Sequence, residues 1–219
     1  MHVPALLTTI VLLVLISGCR GAAERDAPGG EQAQGALNVE LRDELVRMGQ
    51  EDQRDRQQMM AIAAARDTAA MRRLWEADSA RSARIAEVIE AHGWPGLSLV
   101  GEAGADAAFL VVQHSPSTEF QKQVLPLLTE AAESGEASKE QMALLTDRVL
   151  VSEGQPQRYG TQAKIVDGRV VLDPIQDEPN VDARRAEIGL MPLAEYVALL
   201  ERIYLAPAEE EADAPQSKQ

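Results

Sequence analysis

Apolar residues recur at steps of three and four along most of this chain, the spacing that sets one face of an α-helix against a core. Asn38 reads as an N-cap ahead of Leu41, Leu45 and Met48. Asp67 caps a longer segment to His92, whose expected core-facing stripe is Met71, Trp75, Asp78, Ser82, Ile85, Ile89 and His92. Three polar residues interrupt that stripe. Ala105 to Val112 is apolar but for Asp106 and predicts a buried helix ending near Gln113 and His114. Ser115-Pro116 then supplies an N-cap and a proline at the first helical position, leading to Phe120, Val124, Leu127, Leu128 and Ala131, with a kink expected at Pro126. Ser138 and Gln141 have the spacing of a capping box before Met142, Leu145 and Val149.

The period changes once. Gln162 to Val166 and Arg169 to Leu172 flank Asp167-Gly168, a pair that tolerates positive φ at both positions and so turns a tight hairpin. Beyond it, Asn180 is placed to cap a short helix to Ile188, and Pro192 opens a last helix with Leu193, Tyr196, Val197, Leu200 and Ile203 inward. The expected fold is mainly α: a single helical domain over residues 37–205 with one β-hairpin.

The two ends read differently. Ile10 to Ile16 is an uninterrupted aliphatic run with no Lys, Arg, Asp or Glu before Arg20, too short for comfortable membrane crossing and of the length of a signal-peptide core. Ile16-Ser17-Gly18-Cys19 follows, and resembles the bacterial lipobox, in which the cysteine is lipidated and becomes the first residue of the mature chain. This resemblance implies a signal peptide over 1–18, lipidation at Cys19 and a partnership with the membrane through the acyl anchor. The implied location is the extracytoplasmic face of the cell envelope. Residues 19–36, rich in Ala, Gly and Gln around Pro28-Gly29-Gly30, have the composition of a flexible linker. Residues 206–219 hold Glu209, Glu210, Glu211 and Asp213 among Ala and Pro, and read as a disordered acidic tail.

Composition narrows the function classes. A net charge of −14 on 219 residues argues against nucleic acid, which demands clustered Lys and Arg. With 3% aromatic residues, stacking platforms are scarce. The one cysteine excludes an intramolecular disulfide and, once lipidated, leaves no thiol for chemistry. With three histidines beside it, a closed zinc site of the usual Cys/His type is also excluded.

Several short runs stand out in order: His92-Gly93-Trp94-Pro95-Gly96, Gln113-His114, Leu145-Thr146-Asp147-Arg148, Gln157 to Gln162, Arg184-Arg185, and Gly189 to Tyr196. Together, from about Leu41 to Tyr204, they resemble a bacterial domain family of unknown function often found behind a lipoprotein or secretion signal. The resemblance implies one domain and an envelope setting. It implies no activity.

The same runs carry the candidate chemistry. His92 and His114 end their helices, where they can serve as general acid and base, as two ligands of an open metal site completed by Asp78 or Asp147, or as simple caps. Asp78 and His92 are fourteen residues apart, about 21 Å along a straight helix, so they cannot meet within that element. Asp147 and Arg148 are neighbours on one helix and point in different directions, so each needs a partner elsewhere. A structural network is one outcome; Arg148 or the Arg184-Arg185 pair holding a ligand carboxylate bidentately is the other. Gln157, Tyr159, Thr161 and Gln162 straddle the hairpin entry, as a binding surface or as a turn-stabilising network. If a site exists, the expectation is that it is assembled from the His92-Gly93-Trp94 turn, the Gln113-His114 helix end and the Gln157 to Gln162 approach. Trp94 would supply an apolar wall, and Arg148 or Arg184 a counter-charge. No cofactor is called for, no metal is required, and the standard nucleophile-elbow, phosphate-loop and dinucleotide motifs are missing. The expected function is a membrane-anchored envelope lipoprotein with a module that binds a small molecule or an envelope protein. A hydrolase-like enzyme using His114 and Asp147, and a structural envelope scaffold, are the alternatives.

Overall fold

The helical pattern begins where the capping residue places it. In the computed structural model, which describes residues 37–205, the Asn38 side chain accepts the Leu41 N–H and opens α1, Val39–Ala64. The expected signal peptide, Cys19, linker and acidic tail lie outside the described residues. Asp67 accepts from the Ala70 N–H and opens α2, Thr68–His92, which runs back along α1.

The buried face of α2 is Ala70, Leu74, Asp78, Arg81, Ser82, Ile85 and Val88. That face is rotated by about one residue from the stripe expected. Trp75 is 58% exposed and His92 is exposed, because Arg81 and Asp78 turn inward to charged partners on α1 and bring Leu74 and Val88 with them.

α3, Leu97–Gln113, starts earlier than its apolar run, with a non-helical step at Gly101 separating its first turn from the buried remainder. It packs parallel to α1. The Asn38 N–H donates to the Leu99 carbonyl (2.8 Å) at one end, and Asp52 meets His114 at the other. Between these points the backbones nearly touch: a Cβ on Gly49 would stand 2.8 Å from that of Ala107, so only glycine fits. The shared core of Leu45, Ile85, Val100, Ala108, Val112, Leu128 and Leu145 forms around α3.

α4, Thr118–Ser134, is capped by Ser117 and not by Ser115. The Ser115 hydroxyl instead accepts from the Ser117 N–H, a local turn that leaves Pro116 ahead of the helix. The helix continues through Pro126. α5, Lys139–Ser152, has the Ser138/Gln141 capping box.

β1, Ala163–Val166, and β2, Arg169–Leu172, pair antiparallel, with Val166 opposite Arg169. Asp167 (φ 49°) and Gly168 (φ 71°) make the turn, both in the left-handed region as the hairpin requires. A 3-10 turn at Glu178–Asn180 leads to α6, Val181–Glu187, and then α7, Leu193–Tyr204. Asn180 holds the N-cap position of α6 but makes no side-chain cap; its amide nitrogen donates to the Asp177 carboxylate. Tyr196 and Leu200 of α7 close a second, smaller core over Ala163. The described residues are thus a mainly α single domain of seven helices with one hairpin. None of these helices is long and apolar enough to cross a membrane.

Candidate functional site

The candidate residues separate into two polar centres on either side of α5, plus two outliers. The first is a knot tying α5 to the hairpin. Asp147, fully buried, accepts the backbone N–H groups of Arg158 (2.6 Å), Tyr159 (3.0 Å) and Thr161 (2.9 Å) and the Thr161 hydroxyl (3.0 Å). Burial pushes its carboxyl up from the ordinary carboxylate range, against the pull of those donors. Gln157, also fully buried, donates to the carbonyls of Gln162 and Asp173 and accepts the Gln162 N–H (2.7 Å).

The knot is closed from α6 and α7. Arg185 donates to the carbonyls of Tyr159 (2.6 Å) and Met191 (2.7 Å), and its guanidinium sits 5.0 Å above the Tyr196 ring. Tyr196 in turn donates its hydroxyl to the Thr161 carbonyl. Arg184 reaches back to the carbonyls of Arg158, Gln176 and Asp177. Asp147, Gln157, Tyr159, Thr161, Gln162 and Arg184 are therefore together, and their polar groups are directed at one another and at the backbone.

The second centre lies where α3 ends against α1, α2 and α5. His114 Nδ1 is 2.6 Å from Asp52 Oδ2, with Asp52 wholly buried and the imidazole 6% exposed. A carboxylate at Nδ1 accepts the ring proton there and leaves the lone pair on Nε2. The hydrogen bond of the ring is the one at Nδ1. Desolvation holds the imidazole below its usual titration range, opposed by Asp52 and assisted by Arg56 and Arg148, so the ring is neutral near pH 7. Gln53 donates a second hydrogen bond to Asp52 Oδ2 (2.9 Å). Asp52 Oδ1 and Arg56 Nε stand 3.6 Å apart, both buried and neither hydrogen-bonded.

Charge in this centre is only partly matched. Arg56 binds Asp78, and Arg81 bridges Asp78 and Asp55 at 2.7 Å each. Arg148 has no such counterpart. Its Nε and Nη2 meet the Gln113 amide oxygen at 2.8 and 3.0 Å, in the one amide orientation that sets an acceptor against those donors. It forms no salt bridge to a carboxylate among the described residues. Burial, reinforced by Arg56, lowers its pKa to about 10.

A groove of about 500 Å³ runs between α1 and α3, walled by Val46, Gly49, Ala107 and Leu110. Gln53 lines it and also holds Asp52, while Leu110 stands one helical turn before His114. Asp52, His114 and Arg148 are not among the residues that line the groove.

The remaining candidates lie elsewhere. His92 is exposed at the end of α2, fourteen residues and about 21 Å along the helix from Asp78 of the second centre. Trp94 packs on the main core with its indole N–H unpartnered. Among the described residues no group of three or more His, Cys, Asp or Glu stands close enough to hold a metal ion. The carboxylate beside His114 is Asp52; Asp147 is engaged in the knot. Sequence reasoning passed over Asp52 and Arg56 in the polar run Glu51 to Gln58, although both continue the stripe Leu41, Leu45, Met48 in steps of four.

The fold and this centre define a helical single-domain protein with a buried acid–histidine–arginine cluster at the end of its central helix. The chain belongs to a family of unknown function, DUF6624, whose model matches residues 39–207. No curated protein and no solved structure matches it.

Proposed function

We propose that this is a membrane-anchored envelope lipoprotein, tethered through Cys19, whose domain binds a small carboxylate-bearing molecule at the His114 centre. The observation that carries the binding reading is Arg148: a desolvated guanidinium whose direct partner is a neutral amide oxygen. Buried charge without a counter-ion is costly, and a planar carboxylate offers the bidentate geometry that guanidinium groups match best. Arg56 lies near enough to add positive potential. The tether is supported by Ile16-Ser17-Gly18-Cys19 behind its aliphatic run.

Calorimetric titration of the protein with acetate and with octanoate at constant ionic strength tests the binding. Both should bind, and Arg148→Met should abolish the signal; titration heats indistinguishable from sodium chloride would defeat the reading. For the tether, Cys19→Ala should move the protein from the membrane fraction to the soluble one, and an unchanged distribution would remove it.

A further inference from the structure

We infer that the cavity between α5 and the α6–α7 turn is a second binding site, for a small zwitterionic amino acid such as alanine, whose carboxylate meets Arg185 and whose ammonium meets Glu140. It lies across α5 from the His114 centre and does not rest on the reading proposed for that centre.

The cavity measures about 120 Å³, and its lining includes Glu140, Leu144, Arg185, Leu190, Met191 and Tyr196. Arg185 is 1% exposed and sets a cation on the interior side, while Leu190 and Met191 are half-buried and stand at the mouth. The Nε and Nη1 of Arg185 each donate to a backbone carbonyl, of Met191 and of Tyr159. Those bonds use two of the five guanidinium N–H donors and neutralise no charge. Among the described residues Arg185 forms no ion pair with a carboxylate. Burial lowers its pKa, opposed by Tyr196 and, from beyond ion-pair distance, by Asp182, Asp147 and Glu140. The Tyr196 ring covers one face of the guanidinium at 5.0 Å, so a ligand approaches in its plane, the direction in which it pairs with a carboxylate.

Glu140 decides which carboxylate fits. It lies in the first turn of α5 and lines the same cavity as Arg185. A bare anion between the two is attracted by one and repelled by the other. A zwitterion offers each group its opposite charge, and in a partly enclosed cavity that match counts for more than in bulk water. Size makes a second selection. A volume of about 120 Å³ equals roughly four waters at about 30 Å³ each, room for glycine or alanine and too little for an aromatic amino acid. Leu144, Leu190 and Met191 supply apolar contact for a methyl group, which favours alanine over glycine.

The test is calorimetric titration of the full chain with alanine, in the parent and in Arg148→Met, which removes the cation of the His114 centre. We expect saturable alanine binding in both proteins, weaker binding of glycine and none of phenylalanine. Adding Glu140→Gln to Arg148→Met should weaken alanine about 10-fold and create affinity for acetate, an exchange of preference that a structural role for Glu140 would not produce. Met191→Trp at the mouth should fill the cavity and abolish the heats while the melting temperature stays near that of the parent. Arg185 itself is left in place, because its loss would also release the Tyr159 and Met191 carbonyls. Absence of saturable alanine binding in the parent overturns the inference, as does alanine binding that survives both Glu140→Gln and Met191→Trp. Alanine binding present in the parent and lost in Arg148→Met belongs to the His114 centre; it overturns this inference and leaves the carboxylate reading standing. Alanine binding with no acetate binding in the parent does the reverse.

Discussion

Asp147 and Arg148 are consecutive residues of one helix, and they meet opposite fates. The aspartate enters the hairpin knot, where three backbone N–H groups and a hydroxyl converge on its two oxygens. The arginine turns toward the end of α3, where it finds a glutamine oxygen and a second arginine. The backbone N–H groups of Arg158, Tyr159 and Thr161 would be orphaned by the loss of Asp147, whereas Arg148 serves a single amide oxygen, that of Gln113. A knot in which donors and acceptors are matched is built for stability; a guanidinium buried against a neutral amide is held at a cost that stability alone does not explain.

The largest effect that sharpens this contrast is expected at Asp147. Asp147→Ala strands several buried donors at roughly 1–3 kcal/mol each, so urea denaturation should show a loss on the order of 4 kcal/mol. A loss below about 1 kcal/mol would mean that the knot is not what holds the hairpin to α5. A smaller effect, with the opposite tendency, is expected next door. Arg148→Met removes an uncompensated charge while keeping apolar volume, and its stability should stay within about 1 kcal/mol of the parent or exceed it. Destabilisation as large as that of Asp147→Ala would erase the distinction between the two centres.

The smallest effect is in the pH dependence. His114 titrates below its ordinary value of 6.5 in the folded protein, so between those two values the unfolded chain binds more protons than the folded one. Stability therefore rises with pH through that window, is complete above about 6.5, and declines on acidification by up to about 1.4 kcal/mol per pH unit. Comparing the parent with His114→Gln isolates this slope from the titration of carboxylates such as Asp147. Parallel profiles for the two proteins would show that His114 is not held neutral by its surroundings.

Much of the architecture was legible because its determinants are local. Asn38, Asp67 and the Ser138/Gln141 pair cap the helices that their spacing predicts, and Asp167-Gly168 turns the hairpin. Failures occurred where a tertiary partner overrode a local preference. α2 rotated to bury Arg81 against Asp55 and Asp78, exposing Trp75, and α4 took its cap from Ser117 because Ser115 was used in a turn. The site was readable in part. That Asp147 and Arg148 each need a remote partner follows from helix geometry, but the identity of those partners does not. Asp52 lies 62 residues from His114 and within a run of charged and amide side chains, so no short motif marks it. Its one signal is periodic: it occupies the place in the α1 stripe where the next aliphatic residue was due.

The parallel packing of α1 on α3 has a kinetic consequence. Two helices separated by a whole antiparallel helix in the sequence cannot meet until that intervening segment has reversed the chain, and their closure is a non-local event with a corresponding entropic barrier. The second centre draws Asp52, Asp78, His114 and Arg148 from four helices spread over nearly a hundred residues of chain. No shorter fragment contains it. The centre therefore exists only in a chain whose α1, α2, α3 and α5 have all docked, and its Asp52–His114 contact reports that assembly.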